Sequence, residues 1–314
     1  MKVYIAGHAG MVGSALMRRY ASLPGVELIF RTRTELNLED AHAVDAFFDQ
    51  ERPHQVLLAA AHVGGIGANQ SRPADFLFSN LRIQTNVLAG VLKYGGQKCV
   101  FLGSSCIYPR DAHQPITADS LLTGPLEKSN EAYAVAKIAG IKLSQSIRRQ
   151  YGVPCITAMP CNLYGENDNF DLEEAHVLPA MIRKLHEAKV RSVPFVTFWG
   201  SGRALREFLH ADDAADAVFF LMEHYDGEEP VNVGSGLEIS IQSLGELIQK
   251  IVGYCGEIRW DRSKPDGTPR KLLDSDRIAK LGWHPRISMA EGIERTYRWF
   301  ANRWKLKLPI RGVS

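Results

Sequence analysis

Residues 2–20, KVYIAGHAGMVGSALMRRY, carry the strongest structural signal in the chain. The first five residues form a short apolar run typical of a buried strand, and residues 11–23 have helical periodicity. Gly7, Gly10 and Gly13 lie around the turn between them, where backbone amides and the positive end of the helix can approach a pyrophosphate. The spacing is G-x-x-G-x-x-G, not the general G-x-G-x-x-G. It predicts a dinucleotide-binding turn, although a tight turn without a ligand would use the same glycines.

Strand and helix patterns alternate through the first half of the chain. Strands are predicted at 2–6, 26–30, 55–61, 98–103 and 154–160, and helices at 11–23, 40–51, 73–95 and 131–151. Continuous apolar strands between amphipathic helices are typical of a parallel sheet covered on both faces. We therefore expect an α/β fold, with a Rossmann-type doubly wound parallel sheet over residues 1–165.

The alternation loosens beyond about residue 165. Strands are predicted at 195–198 and 230–233, helices at 177–188, 211–224, 240–252 and 288–303, and a Pro/Gly-rich stretch at 263–271. We expect residues 166–314 to form mainly a smaller α/β substrate-binding lobe, with segments that return to the first domain.

Composition favours a cytoplasmic protein that binds small molecules. Lys and Arg number 37 against 35 Asp and Glu, so the net charge of +2 gives no reason to expect nucleic acid or a membrane surface. The apolar stretch after Lys2 is too short for a signal peptide, and no stretch approaches the length of a membrane span. Five cysteines without a CxxC pattern indicate reduced thiols and no metal site.

The end of the second predicted strand favours one cofactor over another. An NAD enzyme would offer Asp or Glu to the ribose hydroxyls there, whereas this chain has Arg31 and Arg33. Arginine suits a 2′-phosphate, so NADP is favoured. The alternative is that both arginines are solvated surface charges.

A second constellation is Tyr133 followed four residues later by Lys137. This spacing puts the phenol and the ammonium on one helical face, where the cation can make the phenol a usable acid near neutral pH. The pair alone is common. With Ser104 at the end of the preceding strand it becomes typical of a carbonyl reductase, in which the serine binds the carbonyl and the tyrosine protonates it.

The motifs together resemble those of the extended short-chain dehydrogenase/reductases, in the branch that acts on GDP-4-keto-6-deoxy sugars. The resemblance runs from residue 7 to about 274, with a matching C-terminal helix, and is carried by GHAGMVGSA, RTRTELNL, AAHVGGIGAN, FLGSSCIYP, NEAYAVAKIAG, NLYGENDNF, WGSGRALREFLH and SKPDGTPRKLLD. It implies epimerisation of GDP-4-keto-6-deoxy-D-mannose at carbons 3 and 5 and NADPH-dependent reduction at carbon 4. It also implies a homodimer built on the helices near 73–95 and 131–151.

The resemblance also implies roles for individual residues. Cys106 would be the epimerisation base and His176 the acid; the bland alternatives are a small buried thiol and a loop residue before a helix. The implied cofactor residues are Gly7, Gly10, Met11, Val12, Gly13, Arg33, Asn37, Leu38, Leu102, Gly103, Ser104, Ser105, Lys137, Pro160, Asn162, Leu163 and His176. The implied substrate residues are Lys184, Trp199, Arg206, Asp266 and Lys271. Ala9 departs from the family's frequent arginine, which weakens the preference for NADP.

Competing functions remain open at this point. A sugar-nucleotide dehydratase would carry an acidic pair after the serine, where Ser105 and Cys106 stand. A simple 4-epimerase would not need the cysteine and histidine pair. A non-catalytic NADP-binding sensor would be expected to lose Tyr133 or Lys137. A related GDP-4-keto-3,6-dideoxy sugar would need nearly the same residues as the 6-deoxy sugar.

Overall fold

The computed structural model describes residues 1–264 and 266–313, so Pro265 of the predicted Pro/Gly-rich stretch lies outside the described residues. Within them the strands are β1 Lys2–Ala6, β2 Glu27–Ile29, β3 Gln55–Leu58, β4 Lys98–Leu102, β5 Cys155–Pro160, β6 Asn162–Tyr164, β7 Phe195–Trp199, β8 Leu205–His210, β9 Val231–Val233, β10 Glu238–Ser240, β11 Glu257–Asp261 and β12 Arg270–Lys271. The α-helices are α1 Met11–Ala21, α2 Ala41–Glu51, α3 Ile66–Ser71, α4 Pro73–Tyr94, α5 Glu131–Tyr151, α6 Val177–Val190, α7 Ala211–His224, α8 Ile241–Val252, α9 Asp276–Leu281 and α10 Met289–Lys305.

The larger part of the molecule is a six-stranded parallel sheet. Its strands follow the order β2-β1-β3-β4-β5-β9, and every pairing in it is parallel. Helices α1 and α7 pack together as one layer, while α2, α4 and α5 form another. Because both faces are covered, the central strands are mostly apolar, and β3 is buried at all four positions, Gln55 included. The doubly wound sheet predicted from the sequence is confirmed.

A second, smaller core lies between α6, α8 and α10. Leu185, Leu244, Ile248, Ile293 and Phe300 are all fully buried there. A mixed sheet borders this core: β10 pairs antiparallel with β8, while β6 and β12 pair parallel with it. β7 and β11 form a separate parallel pair.

Some predicted boundaries were wrong, for physical reasons that the structure shows. The strand predicted over 55–61 ends at Leu58, where its pairing with β1 and β4 ends; the Ala59 amide still donates to the Ala6 carbonyl oxygen at 3.1 Å, and Ala60 runs against the Gly7 turn. The helix at α3 and the short strands β6, β8, β10, β11 and β12 were not predicted. Most of these strands lie at the edge of the smaller core, where alternation is too brief to give a periodic signal.

The glycine turn is fixed by close approach of the backbone. Gly7 has a φ of +86°, and a Cβ built there would lie 2.8 Å from the backbone of Ala60. A Cβ at Gly13 would lie 1.9 Å from the carbonyl oxygen of Gly7. Helix α1 can therefore pack directly on the end of β1 only when position 13 carries no side chain.

Among the described residues, no helix is both long enough and apolar enough to cross a membrane.

We expect Gly13→Ala to lower the free energy of unfolding by about 2 kcal/mol, since the added methyl group must displace backbone atoms. Gly10→Ala is the matched control, because a Cβ at position 10 would meet only the Gly7 carbonyl oxygen at an ordinary 3.5 Å. Urea unfolding of both variants measures the difference. Equal stability of the two variants would contradict the assigned packing of α1 on β1.

Candidate active site

The start of α1 offers donors that fit a pyrophosphate. Gly10 is the N-cap residue of the helix, with extended backbone angles and no side chain to occupy the first-turn amides. The first turn contains no acidic residue, so the positive end of the helix is not neutralised from within. Met11, Val12 and Gly13 supply the amides of this turn, and a Cβ at Gly10 would meet only the Gly7 carbonyl oxygen at 3.5 Å, so the turn is open to a ligand there. The residues present therefore fit a dinucleotide cofactor.

The two arginines after β2 differ in availability. The Arg31 guanidinium is paired with Glu51 at 2.5 Å and lies 5.5 Å from the centre of the Phe47 ring. Arg33 is 82% exposed and makes only a 3.2 Å ion pair with Glu39. Arg31 thus holds β2 on α2 through its ion pair with Glu51. Arg33 is the arginine that is available to bind a phosphate.

The remaining residues predicted to hold the cofactor line the ends of the central strands. Asn37 and Leu38 follow β2, and the Leu38 carbonyl accepts a 2.9 Å hydrogen bond from the Asn86 side chain. Leu102, Gly103 and Ser105 are buried at the end of β4. Pro160, Asn162 and Leu163 are half-buried around the step from β5 to β6, at the same edge of the sheet.

Lys137 joins α5 to the end of β4. Its side chain is almost fully buried, and Nζ donates a 2.8 Å hydrogen bond to the carbonyl oxygen of Leu102. Burial lowers the pKa of Lys137 to about 8, although the nearby Cys106 raises it in part. Nζ also lies 5.8 Å from the centre of the Tyr133 ring, one helical turn earlier. The predicted pairing of phenol and ammonium on one face of α5 is present.

The pKa of Tyr133 differs from the sequence-based expectation. Burial raises it above the usual value, Cys106 raises it further, and a hydrogen bond with Ser104 lowers it. Lys137 was expected to lower the pKa of Tyr133, but burial dominates. Removing the phenol from water raises this pKa more than nearby charge lowers it. A phenol held in its protonated form remains able to donate a proton, which is the role proposed for it.

Cys106 lies in a short 3₁₀ turn, Ser105–Ile107, that follows Ser104. The Ser104 hydroxyl caps this turn by accepting a 3.4 Å hydrogen bond from the Cys106 N–H. Burial raises the pKa of the Cys106 thiol, while Lys271, the Ser104 hydrogen bond and Lys137 lower it. The stretch SSC thus places a hydroxyl and a thiol beside the Tyr133 phenol on one turn.

His176 lies at the start of α6, the helix that packs in the smaller core. It is the N-cap residue of α6, but its imidazole makes no capping hydrogen bond. Its side chain is solvent-exposed, yet the protein atoms packed around the ring lower the pKa of His176 by disfavouring its charged form. The cations Lys271 and Arg311 lower that pKa further. The structure therefore places one cation, Lys271, in the field of both His176 and Cys106.

Among the predicted substrate residues, Lys271, Arg206 and Asp266 are described together. Trp199 and Lys184 are separate from them. Lys271 lies opposite Arg206 where β12 pairs with β8; burial lowers the pKa of Lys271, and the Arg206 charge lowers it further. Asp266 accepts hydrogen bonds from the Ser201 amide at 2.5 Å and the Ser201 hydroxyl at 2.8 Å, so its carboxylate also shapes that turn. Trp199 is 66% exposed at the end of β7, and Lys184 is half-buried on α6. No contact in the described residues ties these last two to the cation pair.

Sequence reasoning missed Glu207, which follows Arg206 on β8. Its side chain is fully buried and accepts hydrogen bonds from the amides of Gly236 at 2.8 Å and Leu273 at 3.0 Å. It thereby holds the segment just after Lys271 against the end of β9. The only sequence signal was a lone acid inside the apolar run ALREFLH, which is weak evidence by itself.

The chain matches one family of enzymes. Residues 3–234 match the model of the NAD dependent epimerase/dehydratase family. That span includes the glycine turn, the serine, the tyrosine and the lysine described above. The chain therefore belongs to the NAD dependent epimerase/dehydratase family.

Two relatives within that family are GDP-sugar synthases. The chain is 52% identical over 299 residues to GDP-L-fucose synthase 1 of Arabidopsis thaliana, covering 95% of this chain and 93% of the relative. It is 37% identical over 304 residues to GDP-L-colitose synthase of Yersinia pseudotuberculosis, covering 96% and 98%. Its structure is similar to that of a GDP-L-fucose synthetase from Naegleria fowleri bound to NADP, with a TM-score of 0.90, 27% identity and coverage of 97% and 95%.

We expect Lys271→Met to raise the pKa of the Cys106 thiol, because a nearby cation that stabilises the thiolate is removed. Chemical shifts of ¹³C-labelled cysteine, assigned with Cys106→Ser, follow the titration directly. Lys264→Met removes an exposed cation beside Trp199 and should leave the Cys106 titration unchanged. An unaltered thiol pKa in Lys271→Met would show that Lys271 does not act on Cys106.

Proposed function

We propose that this enzyme is a bifunctional 3,5-epimerase and 4-reductase that converts GDP-4-keto-6-deoxy-D-mannose to GDP-L-fucose with NADPH. The observation that supports the proposal is that Ser104, Cys106 and Tyr133 lie together, while the Lys271 charge acts on both Cys106 and His176. Ser104, Tyr133 and Lys137 suit carbonyl reduction, and Cys106 with His176 suits epimerisation. A simple reductase or 4-epimerase would not need the second set.

Epimerisation uses the acidity that a ketone confers on its neighbours. With a carbonyl at carbon 4, a base can remove the proton from carbon 3 or carbon 5, and the electron pair moves onto the carbonyl oxygen. In our proposal the thiolate form of Cys106, which the Lys271 and Lys137 charges favour, removes the proton, and Ser104 and Tyr133 donate hydrogen bonds to the developing enolate oxygen. His176 then returns a proton to the opposite face of the carbon.

Lys271 couples substrate binding to this proton transfer. In the proposal its ammonium and the Arg206 guanidinium hold the diphosphate of the GDP-sugar. Lys271 lowers the pKa of His176. A diphosphate that offsets this charge raises the pKa of His176 and so favours the protonated form that an acid requires.

Reduction follows at carbon 4. NADPH, when bound, supplies the hydride. Tyr133 donates the proton to the carbon 4 oxygen, and Ser104 orients that oxygen. The buried Lys137 ammonium holds α5 in place through the Leu102 carbonyl oxygen, and in the proposal it would also bind the ribose of the cofactor. Arg33 is the residue proposed to meet the 2′-phosphate, and the Naegleria fowleri relative bound to NADP supports this cofactor.

Product analysis tests the proposal directly. The chain is incubated with GDP-4-keto-6-deoxy-D-mannose, or with the corresponding 3,6-dideoxy sugar, and with either NADPH or NADH. NMR of the products should show GDP-L-fucose formed fastest from the first sugar with NADPH. The second candidate, GDP-L-colitose formation, gains support only from the 37% identical relative and would be favoured by faster turnover of the dideoxy sugar.

We expect substitutions at Cys106 and Tyr133 to separate the two chemistries. Cys106→Ser replaces the base with a far weaker one, so solvent deuterium exchange at carbons 3 and 5 should be lost, while slow reduction to an unepimerised product persists. Tyr133→Phe should lose reduction, with a penalty of about 3 kcal/mol or more in transition-state stabilisation, and should keep exchange only at a reduced rate, because Ser104 still donates to the enolate oxygen. Tyr133→Phe should still bind NADPH, which shows that its site remains intact.

If Cys106→Ser exchanges deuterium at the wild-type rate, the thiol serves only in packing. The proposal that Cys106 is the epimerisation base is then wrong. Near wild-type turnover in Tyr133→Phe would remove the assigned proton donor.

We also propose that the enzyme is a homodimer formed through α4 and α5. Phe78 on α4 is 61% exposed and Val135 on α5 is 43% exposed, and the Arg82 guanidinium lies 5.8 Å from the centre of the Phe78 ring. Large apolar side chains on an adjacent helix pair suit a four-helix bundle with a second copy.

We expect light scattering to give the mass of a dimer for the wild-type chain and of a monomer for Phe78→Asp, because a carboxylate would be buried without a partner at the interface. Phe195→Asp, at an exposed phenylalanine on β7, serves as the control and should remain dimeric. A monomeric wild-type chain would exclude the bundle.

A further inference from the structure

The segment that leads to His176 is a tightly hydrogen-bonded turn, which we call the approach segment, residues 168–175. The Asp171 carboxylate accepts hydrogen bonds from the amides of Glu173 and Glu174, both at 2.8 Å. The Ala175 amide donates to the Asp171 carbonyl oxygen at 3.0 Å. Because the turn has little internal freedom, whatever holds Glu174 and Ala175 also sets the position of the next residue, His176.

The loop after β3 holds the approach segment from the side of the larger sheet. The Gly65 amide donates a 2.6 Å hydrogen bond to the Glu174 carbonyl oxygen. A Cβ built at Gly65 would lie 2.8 Å from the Ala175 carbonyl oxygen and 2.9 Å from that of Glu174. The backbone angles of Gly65, φ −67° and ψ −176°, are open to any residue. The close contact with the approach segment, and not an unusual conformation, is what requires glycine here.

Two polar side chains reinforce this contact. The Arg72 guanidinium pairs with the Glu174 carboxylate at 2.5 Å, across 102 positions of sequence. Asn69 is buried, and its amide donates to the carbonyl oxygens of Gly64 at 2.9 Å and Gly65 at 3.0 Å. The loop is therefore held in shape on one side and bonded to the approach segment on the other.

The contact bears on His176 because the imidazole has no hydrogen bond of its own to fix it at the start of α6. Its location depends on the main chain on either side, namely α6 and the approach segment. We propose that Gly65 and Arg72 are positioning residues for His176: they dock the approach segment on the larger sheet and so aim the imidazole at the sugar. This inference rests on the proposed function, in which His176 returns the proton.

Gly65→Ala tests the inference, because its methyl group must push Glu174 and Ala175 away. Displacement of a proton-transfer group by about 1 Å costs on the order of 100-fold in its step, so a loss of at least about tenfold is expected in the ratio of epimerised to unepimerised product. The ratio is measured by NMR of the reduced sugars. Binding of NADPH should stay within about twofold of wild type, since the substitution lies outside the groups assigned to the cofactor.

Gly67→Ala is the matched control. It makes the same substitution two residues later, on α3, where the added Cβ would lie an ordinary 3.4 Å from the Glu173 carbonyl oxygen. It should give the wild-type product ratio. A normal ratio in a folded, NADPH-binding Gly65→Ala chain would overturn the positioning role.

Arg72 gives an independent readout that holds even where Gly65→Ala fails to fold. Arg72→Gln should lower the same product ratio, Arg72→Lys should restore it in part, and the exchanged pair Arg72→Glu with Glu174→Arg should restore it more fully than either single change. A ratio unchanged in Arg72→Gln and in both single exchanges would overturn the role of the ion pair. Absence of deuterium exchange in the wild-type chain would instead overturn the proposed function, and the positioning role with it.

Discussion

The buried ammonium of Lys137 is the contact on which the arrangement of the cleft depends. Its hydrogen bond to the Leu102 carbonyl oxygen fixes the rotation of α5 about its axis and its height against the end of β4. Gly140, one turn later, lets α5 approach so closely that a Cβ there would lie 2.4 Å from the Phe101 ring. With α5 seated in this way, Tyr133 must face the turn that carries Ser104 and Cys106. Burying a charge is costly, and the lowered pKa of Lys137 reflects that cost.

The cations that serve the same cleft come from a different layer of the molecule. Arg206 and Lys271 face each other because β12 pairs with β8, and the buried Glu207 carboxylate ties that pairing to the end of β9. His176 comes from α6, at the edge of the smaller core. The residues proposed for reduction therefore belong to the larger sheet, and those proposed to bind the diphosphate belong to the smaller one. Chemistry at the sugar requires both to keep a fixed relative placement.

Much of this architecture was predictable from the sequence because its signals are local. The glycine turn, the parallel strands and the Tyr133–Lys137 pair each depend on spacing within one element, and the structure places them as expected. The pKa of Tyr133 was not predictable, since burial is set by the whole fold. The ion pair between Arg31 and Glu51 was not predictable for the same reason, because the two residues lie 20 positions apart. Contacts such as that between Gly65 and Glu174 join segments more than a hundred residues apart. They produce no periodic pattern in the sequence, so they could not be predicted from it.

The position of β9 has a consequence for how the chain is made. The larger sheet receives its sixth strand only at Val231, after the chain has left it at Pro160 to build β6, α6, β7 and β8. Translation at about 5–20 residues per second leaves the edge of β5 unpaired for on the order of several seconds. During that interval the nascent chain also lacks α7, whose side chains later cover α1 and β4. A ribosome-bound intermediate thus exposes an apolar strand edge, the surface that molecular chaperones recognise and that invites association between neighbouring nascent chains.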